Sequence, residues 1–344
     1  MKKVLGLLLL LLFSFTLVAC NQQAEDTKEG VKSEETAKSG DTSKEEKSKE
    51  EETKAVTVDH VLGSVTLEET PKKVVVLEWV YAENLLALGV QPVGVADVEG
   101  FNSWVQIDAE LSSDVVDVGT RQEPNLEAIS QLQPDLIIAP KFRHEAIKAE
   151  LETIAPTLFF EPYPTDETIS QYDEMVSTFK TMATALGKDA EAKTVLADLD
   201  KKYEEAKASI EAAGLQTNKF VLTQAFSSQQ VPVLRVFTPN AMASVILEKI
   251  GMKNAYASEK FEIYGFSQLN VEALPAVEQA NFFYVVQDND NIFENQLKDN
   301  AVWKNLDFVA TDRMYPLGGD AWLFGGPLSA FTVVDRIVSS VEQK

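Results

Sequence analysis

From residue 56 onward the apolar positions follow two recurring patterns, and each predicts an element. Val56–Val61 and Ser64–Leu67 alternate around Leu62-Gly63, which predicts a small hairpin. Val74–Leu77 is a β-branched run, Ala82–Leu88 a helix ended by Gly89, and Val93–Val95 a further strand. A helix over Leu126–Leu132, the buried run Asp135–Ala139, a helix over Glu145–Ile154 and the strand Thr157–Phe160 follow. Strand–helix–strand units of this length imply a mainly parallel sheet covered by helices on both faces.

Residues 168–213 read differently. They contain no proline and a single glycine, Gly187, and their apolar residues recur every three or four positions: Met175, Phe179, Met182, then Val195, Leu199, Tyr203, Ala206, Ile210. Two consecutive helices result, the second over Asp189–Ala213. At 1.5 Å per residue it is a rod of roughly 38 Å, long enough to cross between lobes, although a helical hairpin inside one domain has the same pattern. After Gly214 the α/β pattern restarts. It runs through a strand at Phe220–Thr223, helices at Ala241–Ile250 and Val271–Gln279, a strand at Asn281–Gln287, a helix at Val302–Phe308, a strand at Met314–Leu317 and a closing helix at Ser329–Glu342. The expected fold is α/β, with lobes over 55–167 and 214–344 joined through the helices of 168–213. A weak echo supports two related halves: Asn125-Leu126-Glu127 and Asn270-Val271-Glu272 each read as an Asn cap with Glu in the first helical turn, before a buried strand.

The N-terminus belongs to neither lobe. Lys2 and Lys3 precede an apolar run, Val4–Ala19, too short for a bilayer span and suited to a secretory signal over residues 1–19. It ends in Leu17-Val18-Ala19-Cys20, which resembles a bacterial lipobox and makes Cys20 the expected lipidated terminus; an ordinary signal peptide is the alternative. Residues 21–54, rich in Lys, Glu, Ser and Thr and without an aromatic residue, cannot bury enough apolar surface to order themselves. They read as a disordered tether reaching about 30–35 Å.

Composition narrows the chemistry. The 344 residues carry a formal charge of −23, and from Ala55 onward 22 basic face 43 acidic residues, so nucleic acid is an unsuitable partner. The single cysteine excludes a disulfide framework, and two histidines, His60 and His144, exclude a His-rich metal cage. No nucleophile elbow, Walker loop, HExxH or EF-hand loop is present, and Gly318-Gly319 and Gly325-Gly326-Pro327 read as loop corners. A Ser–His–Asp hydrolase built on His144 stays open.

Arginine is rare: Arg121, Arg143, Arg235, Arg313 and Arg336 among 31 basic residues. A chain that uses Lys for general surface charge and sets Arg into loops has use for the planar fork, which binds carboxylates at two points. Arg121 follows Val118-Gly119-Thr120, and Arg143 lies in Lys141-Phe142-Arg143-His144 directly after a strand, where open α/β sheets gather ligands. Arg235 lies beyond the first strand of the second lobe. Pairing with a nearby surface acid is the plain alternative for each, most readily for Arg313 beside Asp312 and Arg336 beside Asp335. Trp79 and Tyr81, Phe101 and Trp104, and Trp322 and Phe324 fall in comparable loops; core packing accounts for most of them, less readily for Trp322 in the polar loop Asp320-Ala321-Trp322. A cleft of Arg and Trp suits an anion with an apolar or metal-containing body.

These features resemble the substrate-binding lipoproteins of iron–siderophore ABC importers, in which one long helix joins two lobes around a ligand cleft. The resemblance covers about residues 56–342. It is nearest the ferric-citrate-binding branch through Val118-Gly119-Thr120-Arg121-x-x-Pro-Asn-Leu-Glu-Ala-Ile, then Gln133-Pro134-Asp135-Leu-Ile-Ile-Ala, then Arg143-His144. It implies a non-enzymatic, monomeric protein, anchored by Cys20 to the outer face of a Gram-positive cell membrane, that captures an iron(III) chelate and passes it to a permease dimer. Glu127 and Glu272 match the family's docking acids. Arg121, Arg143 and His144, with Lys141, Trp79 and Tyr81, are the ligand contacts expected of the first lobe; the family's motifs do not extend to the second, where Arg235 and Trp322 are the contacts chosen from residue type and position. The chelate saturates its own iron, so no metal ligand or cofactor is expected from the protein. A haem-binding member would need an axial ligand such as Tyr81, His144 or Met314, and a cobalamin-binding one an aromatic pocket without an arginine cluster.

Overall fold

The computed structural model describes residues 55–344; the expected signal segment, Cys20 and the tether lie outside the described residues. The chain enters through the antiparallel hairpin β1 (Val56–His60) and β2 (Gly63–Leu67). It continues through β3 (Val74–Val76), α1 (Trp79–Ala87), β4 (Gly94–Val95), α2 (Val98–Trp104), β5 (Val116–Asp117) and α3 (Leu126–Leu132). The first lobe ends with β6 (Leu136–Pro140), α4 (Lys141–His144), α5 (Lys148–Ile154) and β7 (Thr157–Phe160). Its sheet is parallel throughout, in the order β5-β4-β3-β6-β7. Alternate residues feed two apolar layers: Val74, Val76, Leu136, Ile138 and Leu158 enter one, and Val75, Ile137, Ala139 and Phe159 the other. Burial on both faces is why these strands read as unbroken apolar runs.

Two helices follow, α6 (Gln171–Ala185) and α7 (Asp189–Ala213). Ala192, Val195 and Leu196 of α7 pack into the first lobe's core, whereas Leu199, Tyr203, Ala206 and Ile210 pack into the second's. The long helix therefore joins the lobes. The second lobe comprises β8 (Lys219–Ser228), β9 (Val231–Phe237), α8 (Met242–Lys249), β10 (Lys253–Asn254), β11 (Phe266–Leu269) and β12 (Asn281–Val286), then α9 (Ala301–Asn305), α10 (Asp307–Ala310), β13 (Met314–Pro316) and α11 (Pro327–Glu342).

This second sheet departs from the expected parallel pattern. Its order is β11-β9-β8-β12-β13, with β10 beside the start of β8; β9 runs antiparallel to β8 and β11, and the remaining pairs are parallel. The β8–β9 hairpin turns on Gln229 and Gln230 at φ 49° and 66°, a left-handed pair that ordinarily attracts Asn or Gly and so gives no turn signal here. Three further corrections follow. Trp79 and Tyr81 lie in the first turn of α1, and Phe101 and Trp104 lie in α2, not in loops. The helix expected over Val271–Gln279 is a 3₁₀ segment, Val271–Val277, because Pro275 inside it supplies no N–H for an α ladder. Asn125 caps α3 through the N–H groups of Glu127 and Ala128, but Asn270 makes no such side-chain cap.

A buried carboxylate also ties the lobes. Glu83 on α1 is fully buried, and its two oxygens accept from the Ser329 N–H and hydroxyl, both at 2.7 Å, in the first turn of α11. The N-cap residue of α11, Gly326, has no side chain to do this, so an acid from the other lobe meets the helix's unpaired donors. A Cβ at Gly326 would lie 2.4 Å from Asn84 Oδ1, and one at Gly325 2.5 Å from Glu83 Oε2, so both glycines permit the approach. Among the described residues no helix is long and apolar enough to cross a membrane.

Candidate functional site

The first-lobe half of the site is assembled at the carboxyl ends of parallel strands. β3 ends in Glu78 and Trp79, β4 in Asp97, β5 in the turn to Arg121, β6 in Lys141–His144, and β7 precedes Glu161 and Tyr163. Gly119, at φ 96°, allows the turn that brings Arg121 back over the sheet. Arg121 Nη1 donates to Glu78 Oε1 at 2.7 Å, and Arg143 Nε donates to Glu78 Oε2 at 3.0 Å. The Arg121 guanidinium also stacks on Trp79, 3.5 Å from the ring centroid, and its Nε lies 3.6 Å from Asp97. Trp79 Nε1 donates to the Asp97 carbonyl at 3.0 Å.

The second-lobe half meets it edge to edge. Trp79 packs against Trp322 with centroids 5.2 Å apart, and Tyr163 against Tyr264 at 5.2 Å. Arg235 projects from β9 between Phe226 and Phe266, at 4.9 and 4.8 Å, and its Nη1 donates to Gln224 Oε1 at 3.0 Å. No acid pairs with it among the described residues, and burial pulls its guanidinium below the usual range, with the nearby Tyr163 acting against that. Beside it opens a cavity of about 310 Å³, lined by Trp104 of the first lobe and by Gln224, Phe226, Arg235, Gln287 and Asp290 of the second. Two buried donors facing this junction, Arg235 Nε and Trp322 Nε1, have no partner among the described residues. Such donors suit a ligand rich in acceptor oxygens.

Arg121, Arg143 and Trp79 of the first lobe and Arg235 and Trp322 of the second therefore gather at the lobe junction, where Arg235 lines the cavity. Lys141 lies at the edge of this junction, paired with Glu161 at 3.3 Å. Tyr81 and His144 do not present their side chains to it. Tyr81 has no exposed surface and packs on Phe160, 5.7 Å away. His144 is 1% exposed, and its Nε2 meets the Arg121 carbonyl at 2.9 Å. Burial lowers the His144 pKa to about 4, so the ring is neutral and holds the Arg121 turn. That placement also removes the hydrolase reading, because the imidazole bonds no serine hydroxyl among the described residues and is closed to substrate. Met314 packs in the aromatic core on the opposite face of the second sheet, so none of the three side chains weighed as haem ligands is free in the cleft. Among the described residues no three His, Cys, Asp or Glu side chains gather as a metal-binding group.

Glu78 was absent from the residues expected from sequence. Its signal is an acid directly after a fully buried strand, at the N-cap of α1. Tyr163, Tyr264 and Phe266 were missed because their elements are brought together only by the lobe junction. Glu127 and Glu272 are both exposed, each in the first turn of its helical segment.

Two α/β lobes joined by a long helix, with an arginine- and tryptophan-lined cleft between them, define a ligand-binding protein rather than an enzyme. The chain belongs to the family described as periplasmic binding protein, which matches residues 74–321. It is 31% identical to the Fe(3+)-citrate-binding protein YfmC of Bacillus subtilis (strain 168) over 283 residues, covering 82% of this chain and 84% of that protein. It is 30% identical to the probable siderophore-binding lipoprotein YfiY of the same organism, covering 96% of this chain and 95% of that protein. Among solved structures, the Fe3+–Desferal-bound siderophore-binding protein FhuD of Vibrio cholerae superposes with a TM-score of 0.69 at 31% identity, covering 78% of this chain and 97% of that one.

Proposed function

We propose that this protein captures an anionic ferric chelate of the citrate or carboxylate type in the interlobe cleft and delivers it to an ABC permease for iron uptake. The observation that carries the reading is the convergence of three guanidiniums, from both lobes, on a cleft that holds unpartnered buried donors. The relative named for Fe(3+)-citrate binding supports the chelate class. Arg121 and Arg143 grip carboxylates from the first lobe and Arg235 from the second, while Trp79 and Trp322 cover the apolar body of the complex. The excess of acids elsewhere repels an anion at a distance, but screening over about 8 Å leaves the local cationic field in control.

Glu127 and Glu272 are the docking acids of the two lobes in this reading, free to meet cations on the permease. A relative named as a lipoprotein supports anchoring through Cys20, with the domain held outside the membrane. The helix shared by both cores favours small closure motions over a wide hinge.

Trp104 lines the cavity, and Trp79 and Trp322 pack together at the lobe junction, so ligand entry should quench intrinsic fluorescence. Ferric citrate titrated into the protein should quench with micromolar or tighter affinity. Absence of quenching and of calorimetric heat across ferric citrate, carboxylate, hydroxamate and catecholate chelates would defeat the proposal.

A further inference from the structure

Glu78 occupies the place between two guanidiniums that a ligand carboxylate would seek. One of its oxygens takes Arg121 at 2.7 Å and the other takes Arg143 at 3.0 Å, with its side chain 9% exposed. The same Oε1 accepts from the Trp79 N–H at 3.2 Å, so the start of α1 fixes the carboxylate as well. It is the one acid paired with Arg143 among the described residues. An acid placed this way does two things to an incoming anion. It aligns two long side chains beforehand, which reduces the ordering cost of binding. It also cancels one of their charges inside a poorly solvated cleft, where charge counts most.

We infer that Glu78 is a positioning residue that sets the charge the cleft accepts: it holds Arg121 and Arg143 in place for the chelate and biases the site towards chelates carrying fewer negative charges. The inference rests on the reading of the cleft as a ferric-chelate site and deepens it. With Glu78, Asp97 and Asp290 set against Arg121, Arg143 and Arg235, the charges of the cleft balance, which suits a chelate of low net charge. A purely structural ion pair would leave selectivity between chelates untouched, and that difference is measurable.

The probes are the ferric complexes of citrate and of a citrate monoamide, which lacks one carboxylate. Affinities are measured by calorimetry for the wild type and for Glu78→Gln, Glu78→Asn and Glu78→Asp, with thermal melts to confirm folding. Removing the charge in Glu78→Gln should shift the citrate-to-monoamide affinity ratio towards citrate by roughly tenfold. Alignment affects both chelates alike, so its loss does not move this ratio. Glu78→Asn is a second neutral variant that keeps a good cap for α1, and it answers the question should the Gln variant not fold. Glu78→Asp should keep the wild-type ratio while weakening both chelates several-fold, because the shorter side chain cannot span both guanidiniums. An unchanged ratio in the folded neutral variants overturns this inference alone. A wild-type protein that binds neither chelate overturns the citrate reading on which this inference rests, and the inference with it, whereas the wider ferric-chelate reading falls only with the full chelate panel.

Discussion

In the first lobe, Arg121 on a turn and Arg143 in the short helix α4 follow the ends of parallel strands and share one buried carboxylate; in the second, Arg235 stands mid-strand on β9, held by a neutral amide and two phenyl faces. The first pair is compensated before any ligand arrives. The second is a partly buried charge with a depressed pKa and no acid paired with it among the described residues. A paired guanidinium must loosen an existing contact to bind an anion, whereas an unpaired one gains a partner it lacked. The two halves should therefore contribute unequally to binding and oppositely to folding.

Arg235→Ala is the severest test of that contrast. It should weaken ferric citrate binding by about 3 kcal/mol, near the upper end for a charged hydrogen bond, while leaving thermal stability equal or higher. A loss of stability instead would show that the guanidinium is already compensated. Glu174, next in size, lies where the halves meet, sharing a small gap with Tyr163 and Phe324. Burial pushes its carboxyl up to about 7. The folded state thus holds the proton more tightly than the unfolded chain does, and stability should fall as pH rises between about 4.5 and 7. Glu174→Gln should flatten that window and add roughly 2 kcal/mol above pH 7, allowing for partial exposure, as read by denaturant melts at pH 5 and 8.

Arg143→Ala comes third, at about 1.5 kcal/mol in affinity, and it should also lower stability because Glu78 loses one of its two partners. If it costs binding as much as Arg235→Ala without destabilising, the distinction between the halves is wrong. The smallest effect on affinity belongs to Glu127→Ala combined with Glu272→Ala. Chelate binding should stay within twofold while uptake through the permease stops, which separates the cleft from the docking faces.

Elements whose burial follows a local period were legible in the sequence. The long helix Asp189–Ala213, the helix Leu126–Leu132 and the strand Thr157–Phe160 stand where periodicity places them. Their apolar spacing is a property of the chain itself. β9 was not legible, because Gln229-Gln230 turns the hairpin without the usual residues and so hid that Arg235 is a strand residue. The site was half legible for a similar reason. Rare arginines and tryptophans marked it, but Tyr81 and His144, close in sequence to Trp79 and Arg143, are directed into the core by the α1 and α4 backbones.

By itself, then, the sequence determined two α/β halves, the helix between them, the acidic character of the domain and the scarcity of arginine that points to a cleft. Tertiary structure alone decided that Glu78 lies between Arg121 and Arg143, 43 and 65 residues away in the chain. It also decided that Trp79 meets Trp322, and that Glu83 caps a helix 246 residues further on. Periodicity records which face of an element is buried. Which charges share a cleft depends on how separate elements dock, and no local pattern carries that information.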